Sequence, residues 1–286
     1  MNKSEFNKKF LYNAILALIA GNIFIWWAVG AGGESKNLEL YFLDVGQGDG
    51  QLINFRGSQI LIDGGKGPKV LSELAKVLQP GDRYIDVVIA THPDFDHFGG
   101  LIDVLKTYQV GLVITNGREG VAGAYADFEK AIAENKIPEV NLFAGDKIKY
   151  QDLTLEALWP LSYQAAVNEK KVNETGMVLL LEKDGLRALY TADIGFETEQ
   201  KILKKYDLSA HILKVGHHGS KYSSGKEFLK EVQPLFSVIG VGKNSYGHPT
   251  DAALNRLADI GSQIFRTDES GTIKMIFDGE SVKIYN

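Results

Sequence analysis

The run Thr91-His92-Pro93-Asp94-Phe95-Asp96-His97-Phe98-Gly99-Gly100 places four potential metal ligands within six positions. It follows Ile85 to Ala90, an apolar stretch broken only by Asp86 near its start, which reads as a strand buried on both faces. Such a strand delivers His92 at its carboxyl end, where α/β folds place their sites. His92 and Asp94 are two apart in an extended turn and point the same way, and Asp96 and His97 follow at the start of the next helix. Two ligand pairs facing one point suit a two-metal site, with ions about 3.5–4 Å apart. A plain loop with Asp96 as a helix N-cap needs neither four donors nor the Gly-Gly pair.

Two later segments have the same form. Asp193 ends the apolar stretch Ala188 to Ala192, and a carboxylate there can bridge two cations. Lys214-Val215-Gly216-His217-His218-Gly219-Ser220 again reads as strand, sharp turn, histidine. A strand-end Asp is commonly a cap and a lone His commonly structural, but three such clusters in one chain point to a site. The chain has no cysteine, so disulfides are excluded and any metal is held by nitrogen and oxygen.

The elements that must position these residues alternate. Strands are expected at Leu38 to Leu43, Gln51 to Phe55, Gln59 to Ile62, Ile85 to Ala90, Gly111 to Thr115, Leu153 to Trp159, Met177 to Glu182, Ala188 to Ala192, His211 to Val215 and Leu235 to Val241. Helical spacing occupies Val70 to Leu78, Leu101 to Tyr108, Tyr125 to Glu134, Glu197 to Lys204, Lys226 to Val232 and Ala252 to Asp259, and a hairpin from Gln263 to Ile284 finishes the chain. With 286 residues, 44% of them hydrophobic, the chain can bury a large core, and 23% charged residues argue against disorder. The net charge of −5 excludes bulk electrostatic coating of nucleic acid, though not a local basic groove.

Phe10 to Val29 is almost continuously apolar and long enough to cross a bilayer. Lys3, Lys8 and Lys9 precede it, and Trp26 and Trp27 stand near its far end. The positive-inside rule then leaves the N-terminus in the cytoplasm and the remainder outside. The expectation is a single-pass anchor with linker over residues 1–37 and an extracytoplasmic α/β domain over 38–286. A cleaved signal peptide, giving a secreted protein, is the alternative.

His92-x-Asp94-x-Asp96-His97 resembles the metal motif of the metallo-β-lactamase superfamily, H-x-H-x-D-H. Within it, Leu43-Asp44-Val45-Gly46-Gln47-Gly48-Asp49, Asn173-Glu174-Thr175, Lys214 to Ser220 and Tyr246-Gly247-His248-Pro249 look like the C-terminal domain of ComEC-type competence proteins. The resemblance covers about Leu38 to Asn286 and implies a four-layer αββα sandwich with its site at one edge of two sheets. It implies that His92 and Asp94 hold one metal, that Asp96 and His97 hold the other, that Asp193 bridges them, and that His217 completes the second site. Asp44, Asp49, Asp63, Asn173, Lys214, His218 and Ser220 become supporting or substrate-contacting groups. Asn173 also reads as a glycosylation sequon with Thr175, and His248 as either a leaving-group contact or a plain turn histidine. Two departures stand out: Asp94 replaces a histidine, and no histidine lies between His97 and His211 to supply the usual third motif. The oxygen-rich set makes Mn²⁺ plausible beside Zn²⁺.

The expected cofactors are therefore two divalent ions, and the expected reaction is hydrolysis by a metal-bridged hydroxide, with Asp96, Asp193 and His248 at the reacting centre. The competence resemblance points to DNA or another phosphodiester, with Lys214, Lys221 and Lys226 for phosphate and Tyr222 and Tyr246 for stacking. Hydrolysis of small esters, lactones or β-lactams, a cell-surface phosphoesterase, and a non-catalytic DNA-binding module are alternatives on the same fold. ComEC-type proteins normally carry a multi-helix channel as well, so a role in DNA uptake would need a partner.

Overall fold

The computed structural model describes residues 15–22, 36–121 and 123–286. The chain divides into two compact units, Met1–Lys36 and Asn37–Asn286. Of the first, residues 15–22 form a helical segment, α1. Among the described residues no helix is long and apolar enough to cross a membrane. Most of the expected span, Phe10 to Val29, with its flanking lysines and its tryptophans, lies outside the described residues.

The second unit contains two sheets. In the first, β1 (Leu38–Phe42), β2 (Gln51–Phe55), β3 (Ser58–Ile62), β4 (Tyr84–Ile89), β5 (Gln109–Thr115) and β6 (Glu139–Asn141) lie side by side, and β14 (Ile273–Phe277) and β15 (Val282–Tyr285) extend the β1 edge. In the second, β7 (Lys147–Tyr150), β8 (Leu153–Trp159), β9 (Val178–Lys183), β10 (Leu186–Tyr190), β11 (Ile212–Lys214), β12 (Phe236–Ile239) and β13 (Gln263–Arg266) follow one another across the sheet.

Alternation along the strands separates three apolar clusters. Leu38, Leu40 and Phe42 of β1 meet Leu179 and Leu181 of β9 between the sheets. Their neighbours Tyr41 and Leu43 turn outward, onto α2 (Lys69–Val77), α3 (Phe95–Thr107) and α4 (Ala124–Glu134). Val178 and Leu180 turn outward from the other sheet, onto α6 (Phe196–Leu203), α7 (Lys226–Val232) and α8 (Asp251–Asp259). The result is an αββα sandwich with two sheets. Leu101 of α3 is fully buried against Gly64, and truncating such a side chain to Ala costs about 2–5 kcal/mol.

The expected hairpin from Gln263 to Ile284 is corrected. β13 pairs in parallel with β12 in the second sheet, whereas β14 and β15 form the hairpin in the first. The turn of helix α9 (Thr267–Ser270) and Gly271, at φ +71°, carry the chain across. A left-handed residue of this kind favours glycine. The short strands β6 and β7 and helix α5 (Tyr163–Asn168) were not expected. They are three to six residues long, too short to show a period.

Both sheets aim parallel strands at one edge. β3 and β4 run in parallel and end before Asp63 and His92, and β10 and β11 run in parallel and end before Asp193 and His217. Side chains from distant parts of the sequence meet there.

Candidate metal centre

The loops after β1 and β3 fit against the start of α3 through main-chain bonds. Asp49 N donates to Asp96 O (3.1 Å), Gly64 N to His97 O (2.7 Å) and Gly100 N to Gly65 O (2.8 Å). The approach is close enough that a Cβ at Gly48 would overlap Asp96 O, and one at Gly100 would overlap Gly64 O. The glycines of both motifs are therefore required by contact between backbones.

Within this frame the ligand atoms of His92, His97 and Asp193 all lie within 4.8 Å of one another, as do those of Asp96, His97 and His218. Asp193 Oδ1 is 3.3 Å from His97 Nε2, and its Oδ2 is 3.5 Å from His218 Nε2. Asp96 Oδ2 is 3.6 Å from His218 Nε2, and Asp94 Oδ2 is 3.6 Å from His92 Nε2. Asp193 thus presents its two oxygens to different histidines, the disposition a bridging carboxylate requires.

Each imidazole is held by its other nitrogen. His97 Nδ1 lies 2.7 Å from Asp63 Oδ2, His218 Nδ1 lies 2.8 Å from Gly240 O, and His92 Nδ1 is 3.0 Å from Thr91 Oγ1. The Nε2 atoms of His92, His97 and His218 and Asp193 Oδ1 are buried without a hydrogen-bond partner. An unpartnered buried polar atom is costly, and four whose lone pairs converge are what a divalent cation satisfies. Held Nδ1 and free Nε2 is the arrangement of metal-ligating histidine, so the donor set fits metal.

Protonation follows from the same charges. Burial opposes ionisation of Asp193, but His218 and His97 outweigh it and hold the carboxyl well below the usual range. Burial likewise opposes the His218 cation, yet Asp193 and Asp49 raise its pKa to about 10. His97 is raised by Asp193 and Asp63 against the same burial. Protons therefore compete with a cation for these atoms.

Several expected residues take other places. His218 is almost fully buried with Nε2 facing Asp96 and Asp193, whereas His217, expected to complete the second site, stands at the mouth. His217 Nε2 is 3.2 Å from Asn173 Nδ2 and 3.7 Å from Asp193 Oδ2. The two adjacent histidines both adopt left-handed backbone, φ +49° and +53°, a conformation uncommon for residues other than glycine. Lys214, expected to contact phosphate, is buried and ion-paired to Asp49 Oδ2 at 2.5 Å, with a second bond to Val215 O at 2.9 Å. Asp49 in turn lies 3.2 Å from His218 Nδ1. Asp44 pairs with Lys69 (2.7 Å) and receives Gly46 N, shaping its loop away from the ligands. Ser220 accepts Tyr222 N at its Oγ. His248 packs against His217 with ring centroids 5.5 Å apart, and burial and that neighbour lower its pKa. Thr91, whose N and Oγ1 donate to the two Asp63 oxygens and whose Oγ1 also lies 3.0 Å from His92 Nδ1, was missed, although it immediately precedes His92 at the strand end.

Comparisons with known proteins agree with this fold. The profile of the metallo-β-lactamase superfamily matches residues 43–243. The chain is 33% identical to ComE operon protein 3 of Bacillus subtilis in an alignment 269 positions long that covers 84% of this chain and 33% of that protein. It is 29% identical to competence protein ComA of Neisseria gonorrhoeae, covering 81% of this chain and 31% of that one. The chain spans about a third of the length of the curated relatives it matches. Among solved structures, the metallo-β-lactamase fold protein YhfI of Bacillus subtilis superposes with a TM-score of 0.56 at 11% identity, over 82% of this chain and 98% of that one. This likeness is one of fold. The chain belongs to the metallo-β-lactamase superfamily.

Proposed function

We propose that the protein is a metal-dependent phosphodiesterase acting on DNA. The observation that carries the reading is the convergence of three unpartnered imidazole Nε2 atoms and Asp193 Oδ1 beside an open cleft. His92, Asp94 and Asp193 would hold one cation, and Asp96, His97, His218 and Asp193 a second. Zn²⁺ and Mn²⁺ both suit this nitrogen and oxygen set. Bound there, the metal supplies Lewis acidity and a water acidic enough to act as nucleophile near neutral pH. The protein's own part is positional. Asp63, Gly240 O and Thr91 fix the imidazoles, and the buried Asp49–Lys214 pair braces the floor beneath His218. His217, at the mouth beside Asn173, is the group placed to meet a leaving oxygen, with His248 behind it.

DNA as substrate is supported by the competence names of the relatives, which also favour a role in DNA uptake together with a partner. The apolar stretch Phe10 to Val29, with lysines before it, supports a membrane-held domain outside the cytoplasm. Protease added to intact cells would then remove the domain, and survival of the domain would refute that placement.

The reading is tested by stripping the protein of metal, reloading it with Mn²⁺ or Zn²⁺, and following single- and double-stranded DNA with Asp193→Ala as control. Metal-dependent cleavage lost in the variant is the expected result. Metal bound with no DNA cleavage, but turnover of a lactone or β-lactam, would overturn it.

A further inference from the structure

The cleft that opens from Asp193 and His217 has a volume of about 440 Å³ and is lined also by Lys171, Asn173, Phe196 and Tyr222. That size lies within the range of small-ligand sites, about 300–1,000 Å³. Two of its walls are exposed aromatic rings, Phe196 at 39% and Tyr222 at 63%. They come from different elements but are tied together, because Phe196 N donates to Tyr222 O at 3.0 Å.

The segment Lys221 to Gly225 that carries Tyr222 is gripped from two sides. Glu199 accepts Ser224 N (2.5 Å) and Gly225 N (2.9 Å). Arg256 donates to the carbonyls of Ser224 (2.8 Å), Ser223 (2.7 Å) and Lys221 (3.3 Å). The same guanidinium lies 5.5 Å from the centre of the Phe196 ring. Ser224 is held at φ +55°, a left-handed conformation that persists only where surroundings enforce it. The backbone beneath Tyr222 is thus held on both sides while its ring is largely exposed, with Lys221 Nζ 5.0 Å from the ring centre. Two apolar, planar surfaces on this mount, beside a centre suited to an anionic oxygen, match a ligand that is planar at one end and anionic at the other.

We propose that Phe196 and Tyr222 form a subsite for the base of the nucleotide whose phosphodiester lies at the metal centre, and that Glu199 and Arg256 hold this subsite in shape. The subsite rests on the phosphodiesterase reading given above. Lys171, paired loosely with Glu197 at 3.5 Å, lines the same cleft.

The test compares two diesters with one leaving group, the p-nitrophenyl ester of thymidine monophosphate and methyl p-nitrophenyl phosphate, on the metal-loaded full chain. The nucleoside diester is expected to have the higher kcat/KM. Tyr222→Ala is expected to lower the ratio of the two kcat/KM values about tenfold through KM, the scale of one lost base–aromatic stack. Tyr222→Phe should restore the ratio, and Arg256→Ala should lower it in the same direction. An unchanged ratio in Tyr222→Ala, or an equal loss on both diesters, would overturn the subsite. If wild-type protein hydrolyses neither diester, the phosphodiesterase reading fails. Equilibrium binding of thymidine monophosphate then decides the subsite separately: binding weakened by Tyr222→Ala sustains it, and no binding ends it.

Discussion

Asp63 Oδ2 lies 2.7 Å from His97 Nδ1, and the same carboxylate receives Thr91 N and Thr91 Oγ1 at 2.8 Å each. One side chain therefore joins the end of β4 to the first turn of α3. It also determines which nitrogen of His97 faces Asp193. With Nδ1–H directed to Asp63, Nε2 is the nitrogen turned to Asp193 Oδ1, 3.3 Å away, and in the neutral ring it is the one that carries the lone pair.

Asp63→Asn keeps the size of the side chain but exchanges an acceptor oxygen for a donor. His97 then loses its charged partner and its preferred tautomer. Metal affinity is expected to fall roughly 10- to 100-fold, the usual scale for such supporting groups. Competition with a chromophoric chelator measures it, and an unchanged affinity would show that Asp63 only supports the fold.

Adjacent histidines give opposite expectations. His218→Ala removes a buried nitrogen facing Asp96 and Asp193, so bound metal per chain should drop. His217→Ala should leave metal content intact and lower kcat by roughly 10²-fold, the scale of a proton-transferring group. Metal analysis of both purified variants separates the roles, and loss of metal in the His217 variant would reverse them.

Removing metal should lower Tm. Metal that binds only the folded state adds about 1.4 kcal/mol for each tenfold excess over Kd. Chelator should therefore depress the melting temperature of the wild type, and added Mn²⁺ or Zn²⁺ should raise it with concentration. In Asp193→Ala the dependence should be much reduced. Identical melting with and without metal would argue against ligation by these buried atoms.

Glu199 should leave a mark on stability against pH. Burial pushes its carboxyl up to about 7 from 4.5, aided by Glu174, although Gly225 N, Ser224 N and Arg256 pull the other way. Below pH 4.5 both folded and unfolded chains are protonated and the group costs nothing. Between pH 4.5 and about 7 the unfolded chain ionises first, so this contribution to stability declines as pH rises, by roughly 3 kcal/mol at most. Urea melts across this window should show Glu199→Gln gaining on the wild type as pH increases. A constant difference would mean that Glu199 ionises normally in the fold.

Much of this was legible in the sequence, because the strongest signals are local. His92, Asp94, Asp96 and His97 share one strand end and one helix start, and the alternation in β1 and β9 reports burial directly. Other features depend on partners far along the chain. Lys214 reads as a surface cation until Asp49, 165 residues earlier, is placed against its ammonium. His217 and His218 are indistinguishable by type, and only two consecutive left-handed residues decide which one turns inward. Glu199 has the look of a solvated helix residue, since its partners Ser224 and Gly225 belong to a separate loop. β13 reads as half of a hairpin because nothing local tells which sheet it joins.

The centre draws Asp63, His92, Asp96 and His97 from the ends of the first sheet, and Asp193 and His218 from the second. Neither sheet with its helices holds a complete ligand set. A cation held there would therefore rivet the two sheets together, and a chain severed in the Phe143 to Asp146 turn, between β6 and β7, would yield fragments that each lack part of the ligand set. Reassembly of such fragments, in which β14 of the later one must also pair again with β1 of the earlier, would be reported by metal uptake itself.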